Sequence, residues 1–183
     1  SYAQHYEQRL HKVVAINAPP TNQLLQLLET NPEQQKRSQY MYSMRSGKTH
    51  RLITENNAQR LWHNAYAKFR KLSHYTQQHD DTFRQGLAQP GAIDGGINWY
   101  RANIPELGNI GQAHYWPSRN AKTQTPALLI WGEEDDTFVD SFIDDLPHFA
   151  THLEVCRLPN IGHTPMLESP DQVTHVLRDF FSR

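Results

Sequence analysis

Two stretches of the sequence place an acid and a histidine on neighbouring loops. The stretch LLIWGEEDDTF, residues 128–138, is an apolar run that passes through Gly132 into four acidic residues, one of which is Asp135. The later stretch LPNIGHTPMLESPDQV, residues 158–173, places His163 directly after a glycine. A histidine base needs a carboxylate on one ring nitrogen, which fixes its tautomer and stabilises the imidazolium. The spacing therefore indicates a base, His163, that is oriented by the acid Asp135.

The same spacing is compatible with a structural interpretation, in which Asp135 caps a helix and His163 packs under the last helix. The catalytic interpretation also needs a nucleophile. The stretch QPGAIDGGIN, residues 89–98, holds three glycines and a proline, so we interpret it as a loop.

Three apolar runs predict the strands that position the two loops. HKVVAIN (residues 11–17) is a β-branched run that is stopped by two prolines, and LEVCRL (residues 153–158) alternates in polarity. TPALLIWG (residues 125–132) is continuously apolar, which is typical of a strand covered on both faces of a parallel sheet. Strands that alternate with helices favour an α/β fold. Because parallel sheets normally have more strands, we predict a truncated α/β fold with about three parallel strands.

The segment between the first two strands is polar and has the periodicity of helices. Four leucines, Leu24, Leu25, Leu27 and Leu28, lie largely on one side of a predicted helix, and residues 57–72 have apolar positions at intervals of three and four. A further helix is predicted over residues 169–181, with Ser169 as its cap and Gln172 completing a capping box. The acidic pair Asp80 and Asp81 is interpreted as a solvated helix face or cap.

The composition argues against several classes of partner and cofactor. A formal net charge of −1 gives no electrostatic basis for binding nucleic acid or an anionic membrane surface, and no apolar run approaches the ~20 residues that span a bilayer. The single cysteine, Cys156, fits a reducing compartment, so we expect a cytoplasmic location. His148 and His152 have a spacing that can bind metal on a helix, but Pro147 argues against it. We expect neither a metal nor another cofactor.

From about Tyr2 to Arg183 the chain resembles the carboxyl-terminal half of an α/β-hydrolase of the epoxide hydrolase and haloalkane dehalogenase branch. RLHKVVAINAPP resembles the sixth strand of that fold, TPALLIWGEEDDTF the strand and loop of the triad acid, and GHTPMLESPDQVTHVLRDFF the histidine loop and final helix. The resemblance implies three segments: a remnant of the hydrolase core over residues 1–20, a helical cap over 21–115, and the last part of the core over 116–183.

The resemblance also implies roles for tyrosines of the cap. RSQYMYSMRSG and GGINWYRANIP resemble the two segments in which an epoxide hydrolase carries tyrosines that donate a proton to the epoxide oxygen. That oxygen needs an acid because an alkoxide is a poor leaving group at neutral pH. The implied donors are Tyr100 and Tyr40, with Tyr42 as the substitute for Tyr40, since the first segment is one residue shorter than the family pattern. Trp99 is expected to pack in the cap or to line the substrate pocket.

The resemblance also implies a nucleophile elbow, Gly-x-Asp-x-Gly or Gly-x-Ser-x-Gly, and a His-Gly-x-Pro oxyanion loop, and neither motif occurs in these 183 residues. We therefore expect the nucleophile to lie outside them. The leading hypothesis is a fragment of an epoxide hydrolase-like enzyme whose upstream Asp attacks the substrate, and we expect these 183 residues alone to be inactive. A serine esterase or lipase-like enzyme and a haloalkane dehalogenase are alternatives, because Asp135 and His163 would serve all three reactions. A different class of hypothesis is a folded fragment without catalytic activity. If the strand that precedes residues 13–17 in the sheet is absent, we expect this exposed edge to form a homodimer.

Overall fold

The computed structural model describes residues 2–55, 59–112 and 117–183, and these form two compact units. The first unit comprises the described residues of Ser1–Ser38 and Leu107–Arg183, and the second comprises those of Gln39–Glu106. The second unit is shorter than the helical cap expected over residues 21–115.

Three strands form a fully parallel sheet in the first unit. They are β1 (Val13–Ile16), β2 (Ala127–Gly132) and β3 (Leu153–Leu158), and β2 lies between the other two. In the register of the sheet, Ala127 is opposite Val13 on one side and Leu153 on the other. The prediction of three parallel strands is confirmed. Their carboxyl ends consequently lie at one edge of the sheet.

The helices cover most of the remaining described residues. In chain order they are α1 (Tyr2–His5), α2 (Thr21–Thr30), α3 (Pro32–Arg37), α4 (Gln39–Arg45), α5 (Gly47–Thr54), α6 (Gln59–Tyr66), α7 (Gln77–Leu87), α8 (Ala92–Asn103), α9 (Phe142–Asp145), α10 (Pro165–Glu168) and α11 (Pro170–Ser182). Short 3-10 helices span Glu7–Arg9, Ala67–Lys71, Leu107–Gln112 and Leu146–His148.

The core of the first unit forms where the central strand meets the last helix. All six residues of β2 are buried. On one face of the sheet, Leu128 and Ile130 pack with Val173 and Phe180 of α11. Fully burying such a side chain contributes about 1.5–3 kcal/mol. The sheet and α11 therefore form a firm base for the loops that leave the carboxyl ends of the strands.

Helix α2 belongs to the first unit, which explains why the observed boundary differs from the predicted one at residue 21. The four leucines of its apolar side are all buried. The side-chain amide of Gln23 donates to the carbonyl of Phe142 at 2.6 Å, and that of Asn22 donates to the carbonyl of Ser118 at 3.0 Å. These two hydrogen bonds join α2 to the sheet-containing unit, although its sequence is continuous with the helical segment that follows.

The loop predicted over residues 89–98 is wrong, because α8 begins at Ala92 within it. Gly91, with a left-handed φ of 77°, turns the chain into the helix. Each glycine in a helix costs about 1 kcal/mol relative to alanine. Packing of α8 against α4, α5 and α7, with Ile97 buried, offsets that cost. Tertiary packing has here outweighed local propensity.

Two smaller predictions from polar side chains are also wrong. Of the pair interpreted as a solvated helix face or cap, Asp81 is exposed on α7, but only 1% of Asp80 is exposed and Arg70 forms a 2.5 Å ion pair with it. The hydrogen bond from Arg70 holds the pKa of Asp80 below its ordinary value. Ser169 does precede α11 but makes no side-chain capping bond there, because it is the single residue between the end of α10 at Glu168 and the start of α11, and it has a ψ of 67°.

Gly132 lies so close to the backbone of the next loop that the position has no room for a side chain. A Cβ at this position would lie 2.3 Å from the carbonyl oxygen of Gly162 and 2.6 Å from that of Ile161. We predict that Gly132→Ala destabilises the first unit by about 3 kcal/mol, the upper range for overpacking. Urea denaturation followed by circular dichroism measures this change.

The matched control is Gly96→Ala in α8, where a Cβ would meet nothing within 4 Å. It should raise the stability of the second unit by up to about 1 kcal/mol. Equal effects of the two substitutions would contradict the close approach of the two loops at Gly132.

Candidate active site

The loops after β2 and β3 are joined by hydrogen bonds at the carboxyl edge of the sheet. The backbone N–H of Glu133 donates to the carbonyl of Leu158 at 3.0 Å, and that of Glu134 donates to the carbonyl of Ile161 at 2.8 Å. These two bonds carry the chain from Gly132 directly alongside the loop that holds His163. The acid and the histidine are thus brought together by backbone contacts as well as by their own side chains.

Asp135 lies in this loop with its carboxylate surrounded by donors. Its side chain is 1% exposed. Oδ1 accepts from the backbone N–H of Thr137 at 2.6 Å and of Phe138 at 3.0 Å. Oδ2 accepts from the amide Nδ2 of Asn17 at 2.7 Å and contacts Nδ1 of His163 at 2.9 Å. Three N–H groups, from Asn17, Thr137 and Phe138, donate to this carboxylate, and donors directed at a carboxylate favour its ionised form.

The electrostatics of Asp135 follow from these contacts. Burial alone raises the pKa of its carboxyl, but the hydrogen bonds from His163 and Asn17 and the backbone bond from Phe138 outweigh it and hold the pKa below its ordinary value. The charged form is therefore the stable one in the folded chain.

The contact with Asp135 determines the tautomer of His163. Because Oδ2 of the ionised acid is an acceptor, Nδ1 of His163 carries the proton. Nε2 is then the nitrogen that takes up a proton from water or from a hydroxyl group. Phe138 packs edge-on to the imidazole with ring centroids 5.5 Å apart, and the side chain of His163 is 31% exposed. The ring is held in place yet is accessible to a reactant.

A second carboxylate fixes the loop on both sides of the histidine. Glu168, the last residue of α10, accepts from the backbone N–H of Gly162 at 2.8 Å and of Thr164 at 2.9 Å. It also accepts from the hydroxyl of Thr164 at 2.9 Å. The residues that flank His163 are therefore bound to the same side chain.

Three residues of this site were not found from the sequence. Asn17 directly follows β1, Arg37 donates to the carbonyls of Asp135 and Phe138 at 3.0 and 2.7 Å, and Glu168 binds the histidine loop. Periodicity carries no signal for such contacts, since the partners are far apart in sequence. The one available signal was the asparagine at the end of the predicted strand, a residue type that tolerates left-handed backbone.

Tyr40 and Tyr100 lie together in the second unit. Their rings meet edge to face with centroids 5.9 Å apart. Burial raises the pKa of Tyr100, and a hydrogen bond with Tyr40 opposes the change without cancelling it. The phenol is therefore protonated at neutral pH, as a proton donor must be.

The two other aromatic candidates have contrasting surroundings. The hydroxyl oxygen of Tyr42 is buried without a hydrogen-bond partner among the described residues, and burial raises the pKa of Tyr42. Trp99 is 49% exposed and packs edge-on to Tyr100 at 5.3 Å. Tyr100 thus contacts Tyr40 and Trp99, whereas no such ring contact joins it to Tyr42 in the described residues.

The described residues have a fold similar to the last strands and helices of the α/β-hydrolase fold, with the acid–histidine pair at the carboxyl edge of the sheet. No family model matches the chain. Among solved structures it is similar to an epoxide hydrolase of Bacillus megaterium in complex with an inhibitor, with a TM-score of 0.86 and 22% identity over 100% of this chain.

The sequence relatives are also epoxide hydrolases. The chain is 26% identical to mouse epoxide hydrolase 3 over 162 residues, which are 87% of this chain, and 22% identical to human epoxide hydrolase 4 over 182 residues, which are 96% of it. The matched regions span 42% and 48% of these two relatives and 64% of the Bacillus chain. Among the described helices, none has the length and apolar composition needed to cross a membrane.

Replacing Asp135 by asparagine should destabilise the first unit. The side-chain NH2 of asparagine would face one of the N–H groups that donate to the carboxylate, and two donors cannot bond to each other. We predict a loss of about 2 kcal/mol for Asp135→Asn, the cost of one buried unsatisfied polar group. Urea denaturation at pH 7 measures it.

The pH dependence and a neighbouring residue supply the controls. The pKa of the Asp135 carboxyl is lower in the folded chain than the value near 3.9 of an unfolded chain. Its charge therefore stabilises the fold above the unfolded pKa, and this contribution is lost as the pH falls through the folded pKa. The difference in unfolding free energy between Asp135→Asn and the unmodified chain should consequently narrow below about pH 4. Asp136→Asn, at an exposed position, should change stability by less than about 0.5 kcal/mol. A similar loss at both positions would refute the role of Asp135.

Proposed function

We propose that this chain is the water-activating part of an epoxide hydrolase. The proposal rests on the hydrogen-bonded carboxylate of Asp135, whose Oδ2 lies 2.9 Å from Nδ1 of His163. This contact leaves Nε2 as the basic nitrogen. The similarity to epoxide hydrolases in sequence and structure supports the choice of substrate class.

In the proposed first step, an aspartate outside these 183 residues attacks one carbon of an epoxide. The new carbon–oxygen bond forms an ester on the enzyme, and the strained carbon–oxygen bond of the ring breaks. The departing oxygen takes a proton from the tyrosine pair, Tyr100 and Tyr40. We assign Gln39–Glu106 as the cap that supplies these phenols, with Tyr42 as the substitute donor and Trp99 as a residue lining the substrate pocket.

In the second step, Nε2 of His163 removes a proton from water, and the resulting hydroxide attacks the ester carbonyl. Asp135 stabilises the imidazolium that forms. Collapse of the tetrahedral intermediate breaks the ester carbon–oxygen bond, and the imidazolium returns its proton to the departing alkoxide, which leaves as the diol. The carboxylic acid so formed gives its proton to the tyrosinate, which restores both the carboxylate of the nucleophile and the phenol. The reaction is a hydrolysis that needs only water and side chains, so the proposal includes no metal or organic cofactor.

The tyrosine pair favours an epoxide over the two alternatives. An esterase with an upstream serine has no need of paired phenols, and a dehalogenase needs halide-binding donors instead. The raised pKa of Tyr100 suits a donor that must remain protonated until the alkoxide develops. The location of the nucleophile outside the chain further implies that the 183 residues alone do not turn over an epoxide.

Two variants of the full-length protein separate the proposed steps. His163→Asn should still form the ester but hydrolyse it slowly, so that a covalent adduct accumulates during incubation with a styrene oxide. Tyr100→Phe should instead slow ester formation, by about 100-fold for the loss of a general acid. Rapid-quench mass spectrometry of the intact protein measures both effects.

His152→Asn, at an exposed position of the same unit, is the matched control and should show neither effect. The 183-residue chain by itself should form no adduct. Adduct formation on the chain alone, or hydrolysis of the ester at the normal rate without His163, would overturn the proposal.

We also propose that the isolated chain self-associates through β1, which is one edge of the sheet. The backbone N–H groups of Val13 and Asn17 donate to β2, so those of the alternate residues Val14 and Ile16 point away from it. Unpaired edges of this kind recruit further strands. Val14→Pro removes one outward donor and should convert a concentration-dependent dimer into a monomer in light scattering. A concentration-independent monomer without the substitution would rule this out.

A further inference from the structure

Asn17 occupies a backbone position that few residue types accept. It follows the last residue of β1 with a φ of 42°, in the left-handed region. Asparagine tolerates this region better than most residues that carry a side chain. The position thus places a short amide at the carboxyl end of β1, and Asn17 is only 1% exposed.

The orientation of this amide is fixed by the neighbouring strand. The backbone N–H of Gly132 donates to Oδ1 of Asn17 at 2.8 Å. A flipped amide would place Nδ2 against that N–H, donor against donor, so Nδ2 must lie on the other side. There it donates to Oδ2 of Asp135 at 2.7 Å and approaches the carbonyl of Gly132 at 3.3 Å.

We propose that Asn17 is a positioning residue for the water-activating pair. Oδ2 is the oxygen that faces Nδ1 of His163, and Asn17 is the other side chain bound to it. Its donated hydrogen bond holds that oxygen in the plane from which it orients the imidazole. The inference rests on the proposed function, because it assigns Asn17 to the second step, hydrolysis of the ester, and not to the first.

Asn17 is a neutral hydrogen-bond donor among three ionisable side chains. Asp135 and His163 lie on the loops after β2 and β3, and the guanidinium of Arg37, from α3, reaches the carbonyl of Asp135 at 3.0 Å. Removal of the amide leaves Oδ2 with one donor fewer in a buried site. The carboxylate can then rotate, and the tautomer of His163 is less firmly specified.

Two substitutions separate positioning from a simple tie between strands. Asn17→Gly suits the left-handed backbone and removes the whole amide. Asn17→Asp keeps an acceptor for the N–H of Gly132 but places a second carboxyl against Oδ2 of Asp135, so that the two carboxyls share one proton, which competes with His163 for that oxygen. If Asn17 only ties β1 to β2, both substitutions should lower the stability of the first unit and slow both steps in proportion. If it positions Asp135, both substitutions should impair the second step.

Matched controls exist at Asn160, an exposed asparagine that also has a left-handed φ, of 59°. In the full-length protein, Asn17→Gly and Asn17→Asp should each slow ester hydrolysis by about tenfold, the rate equivalent of one lost hydrogen bond, and leave ester formation unchanged. Asn160→Gly and Asn160→Asp should change neither rate. Loss of both steps in proportion would indicate a purely structural role and overturn the inference.

A measurement on the 183-residue chain keeps this test independent of the proposed reaction. Nitrogen-15 NMR of histidine-labelled chain reports the exchange of the Nδ1 proton of His163 with water. Asn17→Gly should accelerate that exchange by about tenfold, and Asn160→Gly should not. Unchanged exchange overturns the positioning role whether or not epoxides are the substrate. Accelerated exchange in a full-length protein that forms no ester would instead reject the proposed function alone.

Discussion

The site depends on a carboxylate that is buried while it remains charged. Burying an ionised group without partners costs far more than a protein domain can offset. Asp135 is stable there because the backbone of its own loop, the amide of Asn17 and the imidazole of His163 all direct protons at it. These residues follow the ends of all three strands, so the site requires β2 to lie between β1 and β3, as it does in the sheet. The close approach at Gly132 is part of that constraint, because a side chain there would separate the loops.

The sequence was sufficient to predict the strands and the acid–histidine pair, and the reasons are physical. Burial on both faces leaves a continuous apolar run such as residues 125–132, and a turn at the end of a strand favours glycine. The predicted pairing of Asp135 with His163 agrees with the geometry, although their catalytic roles are still a proposal. Amphipathic periodicity likewise marked α11 and the leucines of α2.

The remaining features could not be predicted because they depend on contacts distant in sequence. Asn17 and Gly132 meet only after β1 and β2 have paired. The glycines in α8 predicted a loop, since the packing that offsets their propensity comes from α4, α5 and α7. Asp80 was assigned to solvent because nothing in the sequence indicates that Arg70 reaches it.

The second unit shows how a polar helical segment brings two phenol groups together. Ile97 and Ile104 are buried on and directly after α8, and Arg45 at the end of α4 donates to the carbonyl of Ile104. Fixed in this way, α4 and α8 bring Tyr40 and Tyr100 into ring contact. Burial keeps the Tyr100 phenol protonated, whereas burial beside donors keeps Asp135 ionised. Burial disfavours the charged form of both groups, and the hydrogen bonds available to each group decide whether that form is still the stable one.

The most direct test of the account is the protonation pattern of His163 in the 183-residue chain. Nitrogen-15 chemical shifts of the labelled imidazole, assigned with a His163→Asn variant, distinguish the two neutral tautomers. The account predicts that Nδ1 carries the proton in the neutral ring and that Nε2 does not, because Oδ2 of Asp135 accepts from Nδ1. A ring protonated at Nε2 and bare at Nδ1 would contradict it, since Asp135 could then neither accept from the imidazole nor orient it as a base.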